Sequence, residues 1–258
     1  MYRRALTHGL IGILLGLLSL FPAATLAETV RITNGEWAPF TSDQLPDKGP
    51  LSRIIAEAFA LEGITVEYGY FPWKRAYDYA KTGKWDGSIS WAPTPKHLRD
   101  FYMSKPVLMV DKGLFHLKNI PFDWQRIDDL RGWKVGGTAG YSYGDEWDQA
   151  VREGKLKVDE VTTDEQNIRK LLLRRVDVIA MEVDVARHLM RKLLSQEEAA
   201  MITQHPKLVM QTPICLALSR QSARSPELLT RFNRGLQRLT ESGAYERYLQ
   251  ELHTGVRR

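Results

Sequence analysis

The sequence predicts an α/β protein in which a mainly parallel sheet is flanked by helices. Strand-like and helix-like segments alternate along the chain from residue 30 onward. The helical segments carry apolar side chains on one face, as helices packed against a sheet do. One βαβαβ round is followed by a second, similar round, which favours two related units.

The first round contains three strands and two helices. Its first helix repeats apolar residues at spacings of three and four between Leu51 and Phe59, and Gly63 follows as a C-cap. Its second strand alternates apolar and polar residues. Strands are predicted over 30–34, 64–70 and 86–90, and helices over 50–61 and 73–82.

The second round follows a segment, 107–117, that is predicted to form a long connecting strand pair. Thr163 with Gln166 makes a capping-box pattern, which places a helix start there. In each round a helix leads into an aspartate that opens a strand, Asp86 and then Asp177. Strands are predicted over 133–137, 157–161 and 177–181, and helices over 143–153, from 163 onward, and over 183–194.

The C-terminal part is predicted to be helical. Ser225 is expected to cap a helix that has Pro226 in its first turn and an apolar stripe over 228–239. Gly243 separates this helix from a last one over 245–252.

The N-terminus carries the pattern of a secretory signal peptide. Arg3 and Arg4 precede an apolar run over 10–21, which is shorter than the roughly 20 residues that span a bilayer. Small residues over 23–27 predict cleavage after Ala27, and therefore a periplasmic protein covering 28–258. An uncleaved anchor helix is the alternative. No cysteine stands at the predicted cleavage site directly after the apolar run, so a lipid anchor there is not expected.

Composition narrows the partners. Hydrophobic residues make up 43% of the chain, enough to fill a core. The formal charge of +5 falls to +3 without Arg3 and Arg4, and charges alternate in sign without a basic block. Together with export, this argues against nucleic acid as a partner. Cys215, the single cysteine, lies in an apolar run and is expected to be a buried small hydrophobe. The histidines show no ligand-like spacing, so neither a metal nor another cofactor is expected.

One wall of a small-molecule site is predicted where the 86–90 strand ends. The strand opens into a polar turn that contains Ser90, Thr94, Lys96 and His97. Ligands of open α/β sheets bind outside the carboxyl ends of strands. The turn carries no obvious nucleophile, so the sequence favours a binding role over a catalytic one.

At this point the chain resembles the periplasmic substrate-binding proteins of polar amino-acid ABC importers, solute-binding family 3, which have the type II bilobal fold. The resemblance implies two lobes, 28–109 plus 213–258 and 114–208, joined by hinge strands near 110–113 and 209–212. It also implies a monomer without catalysis that binds a small polar or amino-acid-like solute and presents it to a membrane permease. The segments that carry the resemblance are 37–40, 72–73, the Asp86 strand, 94–95 before 104–106, 129–132 before 134–136, and 176–177.

In the first lobe the resemblance implies four ligand-binding residues. Trp37 and Trp73 match the two aromatic platforms of the family. Ser90 and Trp91 match positions where hydroxyl and backbone groups meet the ligand carboxylate. Packing in the core is the alternative role for each tryptophan.

In the second lobe the resemblance implies an anion site and a cation site. Tyr141, Ser142 and Tyr143 lie in a turn that matches the family's carboxylate-binding turn at a helix N-terminus. Backbone donors at a helix N-terminus suit an anion. Glu182 matches the acidic residue that pairs with the ligand's α-ammonium group.

One departure from the family pattern concerns the ligand carboxylate. The family has Thr-x-x-Arg after the central strand, and here His97 stands at the arginine position. Histidine cannot make the planar two-point contact that arginine makes. Arg99 lies two residues on, rotated by about 200° if the turn is helical. Either residue, or neither, replaces the clamp, and a standard α-amino-acid ligand is therefore in question.

Three functions follow from these observations. The first is a non-catalytic periplasmic binding protein. The second is an enzyme that resembles the cyclohexadienyl dehydratases, in which Glu182 would act as general acid. The third is an orphan or sensory binding protein that signals through a membrane receptor.

Overall fold

The computed structural model describes residues 28–255, and the predicted signal peptide lies outside them. Parallel strands in two groups are linked by long antiparallel strands. The strands, in chain order, are β1 Glu28–Asn34, β2 Ile64–Tyr70, β3 Gly87–Trp91, β4 Phe101–Met103, β5 Leu108–Leu117, β6 Val135–Thr138, β7 Val158–Val161, β8 Val178–Glu182 and β9 Ile202–Ser219.

The helices cover both groups of strands. The predicted helices appear within about two residues of their expected bounds, whereas α3 and α7 were not predicted. The α-helices, in chain order, are α1 Pro50–Ala60, α2 Trp73–Lys81, α3 Pro95–Asp100, α4 Asp145–Arg152, α5 Asp164–Leu172, α6 Val183–Leu193, α7 Gln196–Met201, α8 Ser225–Glu241 and α9 Ala244–Thr254.

The strand order is β2-β1-β3-β9-β5-β8-β6-β7, with β4 paired to β9. Strands β1, β2 and β3 pair in parallel and are called the first parallel group. Strands β6, β7 and β8 also pair in parallel and are called the second parallel group. Antiparallel β5 and β9 connect them. The mainly parallel α/β architecture is therefore confirmed.

Two local predictions were wrong. The segment 107–117 is not a strand pair, because β5 is one strand whose partners β8 and β9 lie far along the chain. Ser225 does not cap its helix: the N-cap is Arg224, and the Ser225 hydroxyl is buried with no hydrogen-bond partner among the described residues. Ser225 already lies in the first helical turn, where its side chain cannot reach the free amides.

The aspartate that the sequence places at the start of a strand in each round makes the same kind of hydrogen bond in both parallel groups. Asp86 Oδ2 accepts a hydrogen bond from the Arg31 backbone N–H at 2.8 Å. Asp177 Oδ2 accepts the equivalent bond from the Lys134 N–H at 3.0 Å. Each aspartate thus ties the start of its strand to the parallel neighbour, once in each group.

The core fills the space between the helices and the sheet. Phe59 of α1 meets Phe232 of α8 with ring centroids 5.0 Å apart. Cys215 is buried, and burial raises the pKa of its thiol to about 11, so it packs as the small hydrophobe that was predicted. Within residues 28–255, every helix is too short or too polar to span a membrane.

An ion pair joins the C-terminal helix to the helix after β8. His253 Nδ1 lies 2.9 Å from Asp184 Oδ1, and Asp184 is buried. This hydrogen bond raises the pKa of His253 above its ordinary value. A raised histidine pKa stabilises the fold fully below the unfolded pKa of about 6.5, and the stabilisation is lost as pH rises through the folded pKa.

We therefore expect His253→Gln to lower the melting temperature more at pH 5.5 than at pH 8.5. Asp184→Asn should remove the same pH-dependent difference, because it removes the partner. Thermal unfolding of the wild type and the two variants across this range measures it. Equal losses at both pH values for His253→Gln would contradict the assignment.

Candidate functional site

The candidate site lies where the carboxyl ends of the two parallel groups meet. Trp37 follows β1, and its loop is closed by backbone hydrogen bonds to Phe40 and Thr41. Glu182 ends β8. The Trp37 indole Nε1 donates to Glu182 Oε2 at 2.9 Å, across 145 residues of sequence. Two side chains that were predicted to bind ligand, from separate parts of the chain, are thus in contact.

Lys112 is the cation beside Glu182. Its residue on β5 stands opposite Glu182 in the β5–β8 register. Its ammonium nitrogen lies 3.7 Å from Glu182 Oε1 and donates to the Ser142 carbonyl at 2.6 Å. Both side chains of this pair are largely buried, at 12% and 11% exposure. Solvent therefore screens their attraction less than it would at the surface.

An aromatic turn also lies beside the Lys112 ammonium. The ammonium lies 5.8 Å from the ring centroid of Tyr141 and 5.5 Å from that of Tyr143, distances at which an aromatic face attracts a cation. Tyr143 is buried, and its hydroxyl accepts the Thr138 backbone N–H at 2.8 Å. Burial raises the pKa of Tyr143 to about 12, so its hydroxyl stays neutral.

Asp164 supplies a second carboxylate. It is the first residue of α5, whose N-cap is Thr163 as predicted. Thr138, at the end of β6, donates its hydroxyl to Asp164 Oδ1 at 2.6 Å. Burial raises the pKa of Asp164, and the Thr138 hydroxyl and the Lys112 charge offset this only in part.

Glu182 holds its proton more tightly than an exposed glutamate does. Burial raises the pKa of Glu182, while the Lys112 charge and the Trp37 hydrogen bond lower it by less. We define the candidate site as the six residues Trp37, Lys112, Tyr141, Tyr143, Asp164 and Glu182. It contains two carboxyl groups, one ammonium group and three aromatic rings.

Two donors of the turn before α4 bond to Asp148, a residue of that helix. The Ser142 hydroxyl donates to Asp148 Oδ2 at 2.7 Å and accepts the Gly144 N–H at 3.3 Å. The Tyr143 N–H reaches Asp148 Oδ1 at 3.4 Å. Two of the donors that the resemblance assigned to a ligand carboxylate, the Ser142 hydroxyl and the Tyr143 N–H, are thus bonded to an acidic side chain in the first turn of α4.

The tryptophans of the first parallel group form an adjacent wall. Trp73, at the start of α2, lies so close to Gly35 that a Cβ on that glycine would be 2.6 Å from the indole ring. Trp73 meets Trp91 edge-on, with centroids 5.7 Å apart. The Trp91 indole N–H donates to the Ser88 hydroxyl at 2.8 Å. Both rings are only partly buried, which leaves part of each available for contact.

His97 belongs to this wall rather than to an open surface. Its ring lies 5.2 Å from Trp91 and 5.6 Å from Tyr77. Its Nδ1 lies 2.6 Å from the Ala92 carbonyl oxygen, which fixes the ring orientation. Arg99, two residues on in α3, is exposed. Histidine in this setting is a positioned ring and does not reproduce a guanidinium clamp.

Ser90 combines two unusual features. Its φ is +73°, a left-handed value that non-glycine residues seldom adopt. Its hydroxyl is buried and has no hydrogen-bond partner within residues 28–255. The hydroxyl can donate one hydrogen bond and can also accept hydrogen bonds through its two lone pairs.

The structure gathers the predicted residues into two neighbouring sets. Trp37, Glu182 and the 141–143 turn surround Lys112, while Trp73, Trp91 and His97 form the adjacent wall, with Ser90 next to Trp91 in the chain. Neither Lys112 nor Asp164 was predicted from the sequence to be a site residue. Lys112 lies inside the predicted hinge segment and Asp164 follows a predicted N-cap, but neither position alone indicates a role in binding.

Comparison with known proteins places this geometry in context. The sequence profile of the bacterial extracellular solute-binding proteins, family 3, matches residues 32–254. A search of curated proteins found no match.

Solved structures share the fold at low sequence identity. Substrate-binding domain 2 of GlnP from Lactococcus lactis, in an open conformation, aligns with a TM-score of 0.68 and 18% identity, covering 90% of this chain and 97% of that one. An ancestral cationic amino acid solute-binding protein gives 0.67 and 20%, covering 87% and 95%. A histidine kinase sensor domain with similarity to periplasmic binding proteins gives 0.65 and 19%, covering 88% and 96%. These neighbours have the periplasmic binding protein type II fold.

Proposed function

Because the chain belongs to the bacterial extracellular solute-binding proteins of family 3, we propose that it captures a small polar solute between two lobes. The observation that carries this proposal is the hydrogen bond from Trp37 to Glu182, which joins the carboxyl ends of the two parallel groups. A solute that binds beside this pair of side chains contacts both groups at once. Binding therefore favours closure by its differential affinity for the closed state.

The proposed lobes are 28–109 plus 213–258 and 114–208. The strand arrangement supports this division, because within residues 28–255 only β5 and β9 link the two parallel groups through the sheet. The β5–β9 register shifts between Lys112 and Gly113, inside the proposed hinge near 110–113. The second hinge is proposed near 209–212 of β9.

We further propose that the protein works in the periplasm as a monomer and delivers its solute to the membrane permease of an ABC importer. Support comes from the signal-peptide pattern of residues 1–27 and from the family's description as extracellular.

A solute screen on residues 28–258 tests the binding role. The panel contains amino acids, amines, organic acids and neutral polyols, and thermal unfolding is the measurement. A solute at a hundredfold excess over its Kd stabilises the folded protein by about 2.7 kcal/mol, a rise in melting temperature of roughly 5–10 °C.

Glu182→Gln should shrink that rise, because it removes the charge of the buried carboxylate while keeping its shape. Trp85→Phe is the matched control: Trp85 precedes β3, at the opposite end of that strand from the candidate site. If no solute shifts the wild type, or if Glu182→Gln responds like the wild type, the proposed binding role is wrong.

A second candidate function is a dehydratase that resembles the cyclohexadienyl dehydratases. The observation that favours it is the buried Glu182 carboxyl, whose raised pKa suits a group that donates a proton to a leaving hydroxyl. Incubation with prephenate and with arogenate, followed by ultraviolet absorbance of aromatic products, tests it. Turnover that Glu182→Gln abolishes supports the enzyme, and absence of turnover in the wild type rejects it.

A further inference from the structure

A cation of the protein itself fills the place beside Glu182. The Lys112 ammonium contacts the Glu182 carboxylate at 3.7 Å, donates to the Ser142 carbonyl, and lies over the rings of Tyr141 and Tyr143. A carbonyl, a carboxylate and aromatic faces are the groups that stabilise an organic ammonium. The structure thus shows a built cation site with an internal occupant.

The Lys112 ammonium does not balance the two carboxyl groups of the candidate site when both are ionised. Glu182 is largely buried and Asp164 is partly buried, and Lys112 is the one basic side chain in the candidate site as defined above. When both carboxyls are ionised, the set carries one net negative charge. A second cation would neutralise it, whereas an anion would face two carboxylates.

Three groups that the resemblance would direct at a ligand carboxylate are engaged elsewhere: the Ser142 hydroxyl, the Tyr143 N–H and the His97 ring. Asp148 accepts the hydroxyl of Ser142 and the backbone N–H of Tyr143. His97 is held by the Ala92 carbonyl through Nδ1. The unpartnered Ser90 hydroxyl is neutral and can equally accept an N–H from an amine.

We propose that the solute is an organic cation without an α-carboxylate, and that Lys112 is a built-in competitor which such a cation displaces from Glu182. This inference rests on the solute-binding role proposed above. Lys112 thereby sets specificity, since a ligand must offer a better cation than the lysine that is already in place. The lysine also keeps the two carboxyls partly neutralised when no solute is bound.

Matched probes separate the ligand classes. Each set contains an amine, the α-amino acid that would lose its carboxylate to give it, and the corresponding acid without the ammonium group. One set is pentylamine, L-norleucine and hexanoate, and another is 2-phenylethylamine, L-phenylalanine and 3-phenylpropanoate. Titration calorimetry on wild type, Lys112→Met and Lys112→Gln at constant ionic strength gives the Kd of each probe.

We expect the amine to bind tightest within its set. Both Lys112 variants should bind it roughly tenfold more tightly, because they remove one like charge from the site. Lys112→Gln keeps a donor for the Ser142 carbonyl and guards against misfolding of the methionine variant. Lys118→Met, at an exposed lysine just after β5, should leave the Kd unchanged.

Two results would overturn the inference: tighter binding of the amino acid or the acid than of its amine, or no gain in amine binding, including no amine binding at all, in the Lys112 variants. The solute screen judges the proposed function separately. If non-amine solutes bind there in a way that depends on Glu182, only the ligand class is wrong, and if no solute binds, the binding role fails as well.

Discussion

Replacing Gly235 with alanine should lower the free energy of unfolding by about 2–3 kcal/mol. Gly235 lies in α8 where that helix crosses α1, and a Cβ there would be 1.9 Å from the Ala58 carbonyl oxygen and 2.8 Å from its carbonyl carbon. Both atoms belong to the backbone, so no rotamer change relieves the overlap. The helices must separate, which loosens the nearby contact between Phe59 and Phe232.

Helix propensity acts in the opposite direction, and the magnitudes decide the sign. Alanine is favoured over glycine in a helix interior by up to about 1 kcal/mol. Overpacking of a well-packed interface costs roughly 1–3 kcal/mol, and a rigid backbone obstacle places this site at the upper end or beyond. The net effect is therefore destabilising.

Thermal and denaturant unfolding measure this effect. For a chain of this size the loss corresponds to roughly 4–12 °C in melting temperature. Gln237→Ala, on the exposed face of the same helix, is the control and should change stability by less than about 0.5 kcal/mol. A Gly235→Ala variant as stable as the wild type would show that α1 and α8 do not pack as closely as described.

Most of the fold could be predicted from local patterns. The apolar side chains of β2 repeat with period 2 and those of α1 with period 3.6, so both elements are predicted by the sequence. Gly63 marks the end of the turn between them. The α3 helix could not be predicted this way, because its six residues contain no buried side chain and so no apolar stripe. A helix that short is set by its Thr94 cap and by its neighbours.

Long strands that join distant segments resist prediction for a different reason. The N-terminal half of β9 is only partly buried, and it is held by pairing with β5, almost a hundred residues earlier. Because this pairing is non-local, no periodicity within the segment itself predicts it. For the same reason 107–117 could be recognised as extended, but not as a single strand.

The residues of the candidate site likewise fall into those that the sequence predicted and those that only the tertiary structure reveals. Trp37 and Glu182 were predicted through the family resemblance, and the structure places them in contact. Lys112 could not be found, because its role depends on the β5–β8 register that sets it opposite Glu182. A one-residue slip would turn the lysine to the other face of the sheet. Tertiary register, which the sequence pattern does not encode locally, therefore decides the electrostatics of the site.

Trp37→Ala should weaken binding of the best solute from the screen by about 2 kcal/mol or more, roughly a thirtyfold rise in Kd. The indole packs on Phe40 with centroids 4.3 Å apart and donates to Glu182, so alanine removes both contact area and a charge-assisted donor. Trp37→Phe restores the ring without the donor and should fall between alanine and the wild type.

The same variants separate a binding role from a packing role for this tryptophan. Trp85→Ala removes an indole at the far end of β3 and should leave the Kd unchanged, while Trp73→Ala, in the adjacent wall, should raise it. Calorimetric Kd values and melting temperatures of the unliganded variants together decide the matter. If Trp37→Ala lowers the melting temperature but leaves the Kd as in the wild type, Trp37 only packs the core. The contact with Glu182 would then hold the two parallel groups together without touching the solute.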